Sequence, residues 1–273
     1  MVRAKPPAKS CKPAQGDAEP GPAEKSGEAW SRLRALTAAR IGLDRSGASL
    51  ATQPLLEFRL AQARARDAVH DALDRARLAR DLAGLGLPVL PVGSAAPDRP
   101  TYLMRPDLGR RLDAAAPAVL RSHAGAHALV IALVDGLSAR AVQSHGPPLL
   151  SVLVPALRAE GWRMAPLVLV HQGRVAIGDA IAAELGAEAI LVLIGERPGL
   201  SSPDSLGAYL TWRPNRSTTD AERNCISNIR PEGIGYRGAA FKLTYFLREM
   251  RARGLSGIAL KDGAEDRAGE LGR

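Results

Sequence analysis

The sequence predicts an α/β protein: a Rossmann-like parallel sheet with crossover helices, preceded by an α-helical N-terminal region. Three apolar runs without polar alternation support the sheet, because strands buried on both faces have this pattern. The runs are Ala128–Val134, Pro166–Val170 and Glu188–Ile194. Helical stretches follow the first run, to about Glu160 with proline breaks, and the second, around Ala176–Leu185. The order strand, helix, strand, helix, strand is typical of a parallel sheet.

The chain upstream of the sheet is predicted to be helical over residues 28–120. Before it, residues 1–27 are rich in Pro and Lys and have almost nothing to bury. We expect this tail to be disordered. An apolar and basic pattern at Trp30–Leu43 is typical of a docking helix.

One long helix is predicted over residues 55–83, where small and apolar residues recur at steps of three and four. Gly84, Gly86 and Pro88 are expected to end it. Residues 88–127 are rich in Pro, Gly and Arg and are predicted to connect this helix to the sheet, with a turn or two of helix after Asp107.

The C-terminal part is predicted to form an α/β domain over residues 121–262, followed by a flexible tail at 263–273. Right-handed crossovers would place the carboxyl ends of the parallel strands on one edge. Tyr209–Trp212 could add an edge strand, and Ala239–Arg253 a last helix.

Composition excludes several classes of protein. No stretch approaches the about 20 uninterrupted apolar residues that a membrane span needs. The first residues lead into no apolar run, so no secretory signal is expected. Of the two cysteines, Cys11 lies in the polar tail, which argues against a structural disulfide and favours a reducing cytosol. No closely spaced set of Cys and His indicates a zinc site.

The net charge of +9 has more than one interpretation. A nucleic acid, a phosphate-bearing cofactor or an acidic partner would explain it, and so would GC-rich coding that favours arginine. Aromatic residues make up only 4% of the chain, which argues against binding single strands by base stacking. No zinc-finger or RNA-recognition signature occurs. We therefore expect no nucleic-acid partner.

Ligands of open α/β sheets bind beyond the carboxyl ends of the strands. Three segments follow the apolar runs and are candidates: Asp135–Ser138, His171–Val175 and Gly195–Ser202. Dinucleotide, triphosphate and nucleophile-elbow motifs are missing, which disfavours those sites. Glu196 and Arg197 precede a Pro-Gly turn. They either form a local ion pair or hold polar groups of a large ligand.

Thr219–Glu222 fits a capping box, which predicts a helix that carries Cys225 and Asn228 on adjacent turns. By composition alone, Cys225 is favoured as a small packing residue over a nucleophile. No histidine lies nearby in sequence to activate it, although one could approach in space. The four histidines after residue 120 are dispersed, which favours structural roles over ligand roles.

Five separated blocks occur in one order along the chain. They are Tyr102-Leu-Met-Arg-Pro-Asp-Leu-Gly-Arg110, Asp135-Gly-Leu-Ser-Ala-Arg-Ala-Val142, Arg174-Val-Ala-Ile-Gly-Asp179, Ile194-Gly-Glu-Arg-Pro-Gly-Leu-Ser-Ser202 and Asp220-Ala-Glu-Arg-Asn-Cys-Ile-Ser-Asn-Ile229. Together they resemble the small subunit of ethanolamine ammonia-lyase, from about residue 55 to about residue 262. Five blocks in one order are far more specific than any single motif.

The resemblance implies a bacterial, adenosylcobalamin-dependent lyase that converts ethanolamine to acetaldehyde and ammonia by a radical mechanism. A large barrel subunit would hold ethanolamine and perform the radical steps, and this chain, inactive alone, would cover the cobalamin at the subunit interface. The resemblance also implies cofactor contacts at Val175, Glu196 and Cys225, each of which has the family's residue type. No D-x-H-x-x-G motif occurs, so the nucleotide base is expected to stay on cobalt.

Family resemblance further implies the bacterial cytoplasm, inside a bacterial microcompartment, although some members work free in the cytosol and the sequence does not decide between them. Val175 and Glu196 also fall at the carboxyl ends of predicted parallel strands, where a ligand is expected on independent grounds. The alternative interpretation is a non-catalytic α/β ligand-binding or interaction protein. A basic nucleic-acid binder is a further alternative, but it has no motif here.

Overall fold

A computed structural model describes residues 22–264 of the chain, so most of the tail predicted at 1–27 and the end of the tail predicted at 263–273 lie outside it. Contacts divide the chain into a first unit that ends at Leu56 and a second that begins at Glu57. Within the described residues, no helix is both long and apolar enough to cross a membrane.

The first unit contains one helix and one short hairpin. Helix α1 spans Pro22–Ala35, and strands β1 (Arg45–Ser46) and β2 (Ser49–Leu50) pair antiparallel. The docking helix predicted to reach Leu43 therefore stops eight residues earlier. The chain bends at Gly42, which has a φ of 53° and whose lack of a Cβ leaves room for the Trp30 ring.

Two helices, α2 (Thr52–His70) and α3 (Arg75–Leu82), replace the single helix predicted over 55–83. The break between them is held by side chains. The Asp74 carboxylate caps α3 by accepting from the N–H of Arg77 at 2.9 Å, and Asp71 pairs with Arg140 at 2.6 Å. Periodicity could not show this break, because the partner of Asp71 is distant in sequence.

The second unit is built on a six-stranded sheet in the order β3-β5-β4-β6-β7-β8. Its strands are β3 (Val89–Gly93), β4 (His127–Val134), β5 (Leu167–His171), β6 (Ala187–Gly195), β7 (Leu206–Trp212) and β8 (Arg223–Ile229). Strands β3, β5, β4 and β6 pair in parallel, and β7 and β8 are joined to them by antiparallel pairing. The α/β class and the three predicted parallel strands are confirmed, but the sheet is mixed. The Rossmann-like assignment stays a prediction.

Strand β3 corrects the prediction that residues 88–127 only connect helix to sheet. It pairs with β5 alone and is therefore an edge strand. An edge strand tolerates Pro91, which has no N–H to donate to a neighbouring strand. Because β3 is short and contains this proline, it lacks the long apolar run that marked the central strands, and the predicted helical region 28–120 contributes a strand to the sheet.

Helices cover both faces of the parallel part of the sheet. The helices from Arg75 onward are α3, α4 (Arg99–Met104), α5 (Ala116–Arg121), α6 (Ala139–Ala159), α7 (Ile177–Leu185) and α8 (Tyr236–Arg253). Helices α3, α6 and α8 pack on one face, and α5 and α7 pack on the other, which is called the α7 face below. The predicted crossovers α6 and α7 and the last helix are confirmed. Helix α6 runs through three prolines without the predicted breaks, and tertiary packing stabilises it because its leucines are fully buried.

Residues 206–229 differ most from their prediction. Strand β7 is longer than Tyr209–Trp212, and β8 replaces it at the sheet edge. The capping box at Thr219 is present, but it begins only a single 3₁₀ turn, Asp220–Glu222. The chain then enters β8, so Cys225 lies on a strand rather than a helix. Pairing with β7 decides this, since Tyr209 lies opposite Cys225 in the register.

Candidate functional site

The three segments proposed as ligand-binding loops meet at the carboxyl edge of the parallel strands. The Asp135 carboxylate, after β4, accepts the backbone N–H groups of Gln172 at 2.8 Å and Gly173 at 3.2 Å, both after β5. The loop after β4 also contacts the end of β6, because the N–H of Leu137 donates to the carbonyl of Gly195 at 3.0 Å. Burial raises the pKa of Asp135, and the N–H donors and the Arg99 charge oppose that rise.

Val175 ends the loop between β5 and α7 and is half-buried. The loop is anchored just before it, where the N–H of Arg174 donates to the carbonyl of Gly109 at 2.7 Å. The Arg174 guanidinium stacks over the Tyr102 ring, with its Cζ atom 4.2 Å from the ring centroid. The Tyr102 hydroxyl in turn donates to the carbonyl of Gly173 at 3.1 Å. Tyr102 is fully buried, and this burial raises its pKa to about 12, which keeps the hydroxyl a donor at neutral pH.

Glu196 follows β6 and its carboxylate is fixed by two neighbours. The Ser205 hydroxyl donates to Oε2 at 2.6 Å. The backbone N–H of Asn228 lies 3.3 Å from each carboxylate oxygen. Each oxygen keeps a further lone pair to offer a ligand. Within the described chain, Glu196 forms no ion pair with Arg197, so the interpretation as a local pair in the turn is wrong.

Cys225 lies on β8 with an exposed thiol, so the interpretation as a packing residue is wrong. Tyr209 lies opposite Cys225 as its register partner on β7, and the thiol itself lies 3.3 Å from the Ser227 hydroxyl. Burial raises the pKa of Tyr209, and the nearby Cys225 and Glu196 raise it further. The tyrosine therefore stands between two of the residues that the resemblance implied, although residue-level reasoning had placed it only on an edge strand.

Two adjoining cavities bring the three residues together. One, of about 440 Å³, is lined by Val175 and Glu196. The other, of about 280 Å³, is lined by Val175 and Cys225. Arg174, Val175 and Tyr209 line both cavities. We call this pair of cavities the double cavity. Tyr209 was missed because β7 was predicted too short to show which of its residues share a face.

A buried ion pair holds the floor of the double cavity in place. Arg223 on β8 donates from both terminal nitrogens to the two carboxylate oxygens of Asp179 on α7, each at 2.7 Å. Their side chains are only 3% and 12% exposed. Such a bidentate pair fixes geometry as well as charge. It ties the strand that carries Cys225 to the helix that follows Val175.

The double cavity offers an arrangement suited to binding. Glu196 supplies a fixed carboxylate acceptor, Val175 an apolar contact, and Tyr209 an aromatic wall with a hydroxyl. Large ligands are usually held by apolar and aromatic surfaces with a few placed polar groups. Because Cys225 is exposed and Val175 and Glu196 are half-buried, the double cavity is open to solvent on one side of this chain.

Comparison with known proteins gives one consistent family. Residues 27–261 match the model of the ethanolamine ammonia-lyase light chain. The chain is 53% identical over 258 residues to the ethanolamine ammonia-lyase small subunit of Ralstonia nicotianae, covering 92% of this chain and 95% of the relative. It is 55% identical over 240 residues to that of Azotobacter vinelandii, covering 86% and 89%. The Pseudomonas aeruginosa protein of the same name is 54% identical over 243 residues, covering 88% and 89%.

Proposed function

The chain belongs to the ethanolamine ammonia-lyase light chain family, and on that premise we propose that it is the small subunit of an adenosylcobalamin-dependent lyase. The enzyme would convert ethanolamine to acetaldehyde and ammonia by a radical mechanism. A large subunit would hold ethanolamine, and this chain would help to bind the cobalamin where the two subunits meet. The relatives' designation as small subunits supports the existence of such a partner.

One observation carries the cofactor proposal: Val175, Glu196 and Cys225, distant in sequence, line the double cavity around Tyr209. The chemistry of these side chains suits the periphery of a corrin. Its periphery carries amide arms whose N–H groups need acceptors, which Glu196 supplies, and its ring edge is apolar, which suits Val175. When bound, the cofactor supplies the radical chemistry that no side chain can.

In this proposal, the chain binds and orients the cofactor and excludes water from it. Glu196 enters the complex already oriented by Ser205 and Asn228, so less conformational freedom is lost on binding. The exposed side of the double cavity would be closed by the large subunit. Closure keeps water away from reactive intermediates.

The test reconstitutes this chain with its large subunit and measures lyase turnover and cobalamin affinity. We expect activity only with both subunits and adenosylcobalamin present. Glu196→Ala should raise the cofactor dissociation constant about tenfold, the effect of one lost hydrogen bond to a charged group. Turnover at saturating cofactor should change less. Glu188→Ala, at the opposite end of β6, is the matched control and should bind the cofactor normally.

Two results would contradict the proposal. Turnover by the isolated chain would overturn the division of labour between subunits. A complex without cobalamin-dependent activity would favour the alternative, a non-catalytic ligand-binding or interaction protein. Location in the bacterial cytoplasm, inside a microcompartment, and the lack of a nucleic-acid partner remain predictions. A nucleic-acid partner would show itself as binding with steep salt dependence.

A further inference from the structure

Arg110 is a cation beside the double cavity that no other described residue pairs with. It is exposed, and within residues 22–264 its guanidinium makes no hydrogen bond or ion pair. Its neighbour Arg111 differs, because it lies 3.8 Å from the carboxylate of Asp107. An arginine head that protein groups leave free is available to an anion.

The backbone beneath Arg110 is held against the loop between β5 and α7. Arg110 ends a single 3₁₀ turn, Leu108–Arg110. The preceding residue, Gly109, accepts the N–H of Arg174 at 2.7 Å, and a Cβ on Gly109 would approach the Arg174 side chain to 2.8 Å. This close approach places Arg110 next to Val175. Arg110 lines the 280 Å³ cavity together with Val175 and Cys225.

The cavity continues past Arg110 into a groove of about 560 Å³ along α7, which Arg110 and Arg216 also line. The carboxylates around this path are engaged by other arginines. Arg223 holds Asp179 and also contacts Asp220 at 3.3 Å. Arg121 holds Glu184. Arg110 therefore stays free to meet a negative charge that enters between cavity and groove.

We propose that Arg110 binds the phosphodiester that links the corrin of cobalamin to its nucleotide base. This inference rests on the proposed function. A corrin held by Val175, Glu196 and Cys225 would carry a single anionic group on its nucleotide arm, and Arg110 lines both the cavity beside these residues and the groove that continues from it. Arginine pairs with phosphate through two parallel N–H···O bonds, which gives direction as well as affinity.

The test measures equilibrium binding of three cofactor forms to the assembled two-subunit enzyme, by spectral titration. The forms are adenosylcobalamin, adenosylcobinamide methyl phosphate, which keeps a phosphate but lacks the base, and adenosylcobinamide, which lacks both. Arg110→Ala should weaken binding of the first two about tenfold and leave the third within about twofold. Arg110→Lys should restore part of the loss. Arg237→Ala, an exposed arginine on α8 that lines neither the double cavity nor the groove, is the matched control and should bind all three like the wild type.

Several outcomes would overturn the role of Arg110. These are no loss with any form, an equal loss with adenosylcobinamide, or a loss confined to the form that carries the base. If Arg110→Ala instead prevents the subunits from assembling, as seen by native mass spectrometry, the anion is a carboxylate of the large subunit and the proposal fails. Failure of the proposed function looks different, since the wild-type complex would then bind none of the three forms.

Discussion

The two halves of the sheet differ most on the α7 face. In the parallel half, Val130, Val134, Ile190 and Val192 point to this face and are buried beneath α5 and α7. In the antiparallel half, the side chains on this face are more polar: Thr211 and Arg223 are buried, Tyr209 is half-buried and Cys225 is exposed. The opposite face is mainly apolar in both halves, because Leu206, Leu210 and Ile226 continue the core under α6 and α8, with Asn224 as a buried polar exception.

The difference shows how one sheet serves both stability and binding. Full cover by helices gives the parallel half its hydrophobic core. The strip of β7 and β8 that carries Tyr209 and Cys225 is left uncovered and forms a wall of the double cavity. The site lies at the border between the halves, since Val175 comes from a parallel-strand loop and Cys225 from an antiparallel strand. Three predictions test this division.

The largest effect is expected from Ile190→Ala near the centre of β6. Ile190 is fully buried on the α7 face, so its loss leaves a cavity and should lower the free energy of unfolding by about 2–5 kcal/mol. Cys225→Ala, on the uncovered strip, should cost less than about 0.5 kcal/mol. Urea unfolding of the full-length chain measures both. Equal losses would break the division between the halves.

A smaller loss, about 3 kcal/mol, is expected for Arg223→Ala, because Asp179 is then left charged, buried and without its partner. The variant should unfold at lower urea and also bind cobalamin more weakly, since β8 is no longer tied to α7. Arg237→Ala, an exposed arginine on α8, serves as the control and should leave both measurements unchanged. Normal stability in Arg223→Ala would show that packing alone joins the two halves at this point.

The smallest effect concerns the pH dependence contributed by Asp135. Burial raises its pKa in the folded chain above the unfolded value of about 3.9. Its contribution to stability is therefore fully present below the unfolded pKa and is lost as pH rises through the folded pKa. Relative to Asp135→Asn, the wild type should lose unfolding free energy as pH rises from about 4 toward neutrality. Parallel stability curves for the two proteins would contradict the raised pKa.

Sequence periodicity was sufficient to predict the strands and helices whose local pattern of apolar residues matches their burial. The central strands β4, β5 and β6 contain long apolar runs because both faces are covered, and α7 and the last helix follow the expected spacing. The five ordered blocks were also enough to indicate the family. These features need no knowledge of which distant segments touch.

The tertiary structure alone decided the elements that depend on distant partners. Strand β3 exists because it pairs with β5, and Cys225 lies on a strand because β7 lies beside it, although its capping box predicted a helix. The break after α2 depends on Arg140. Tyr209 became a site residue only once its register opposite Cys225 was known. Contacts between segments tens of residues apart leave little trace in local periodicity, since each segment alone is compatible with more than one conformation.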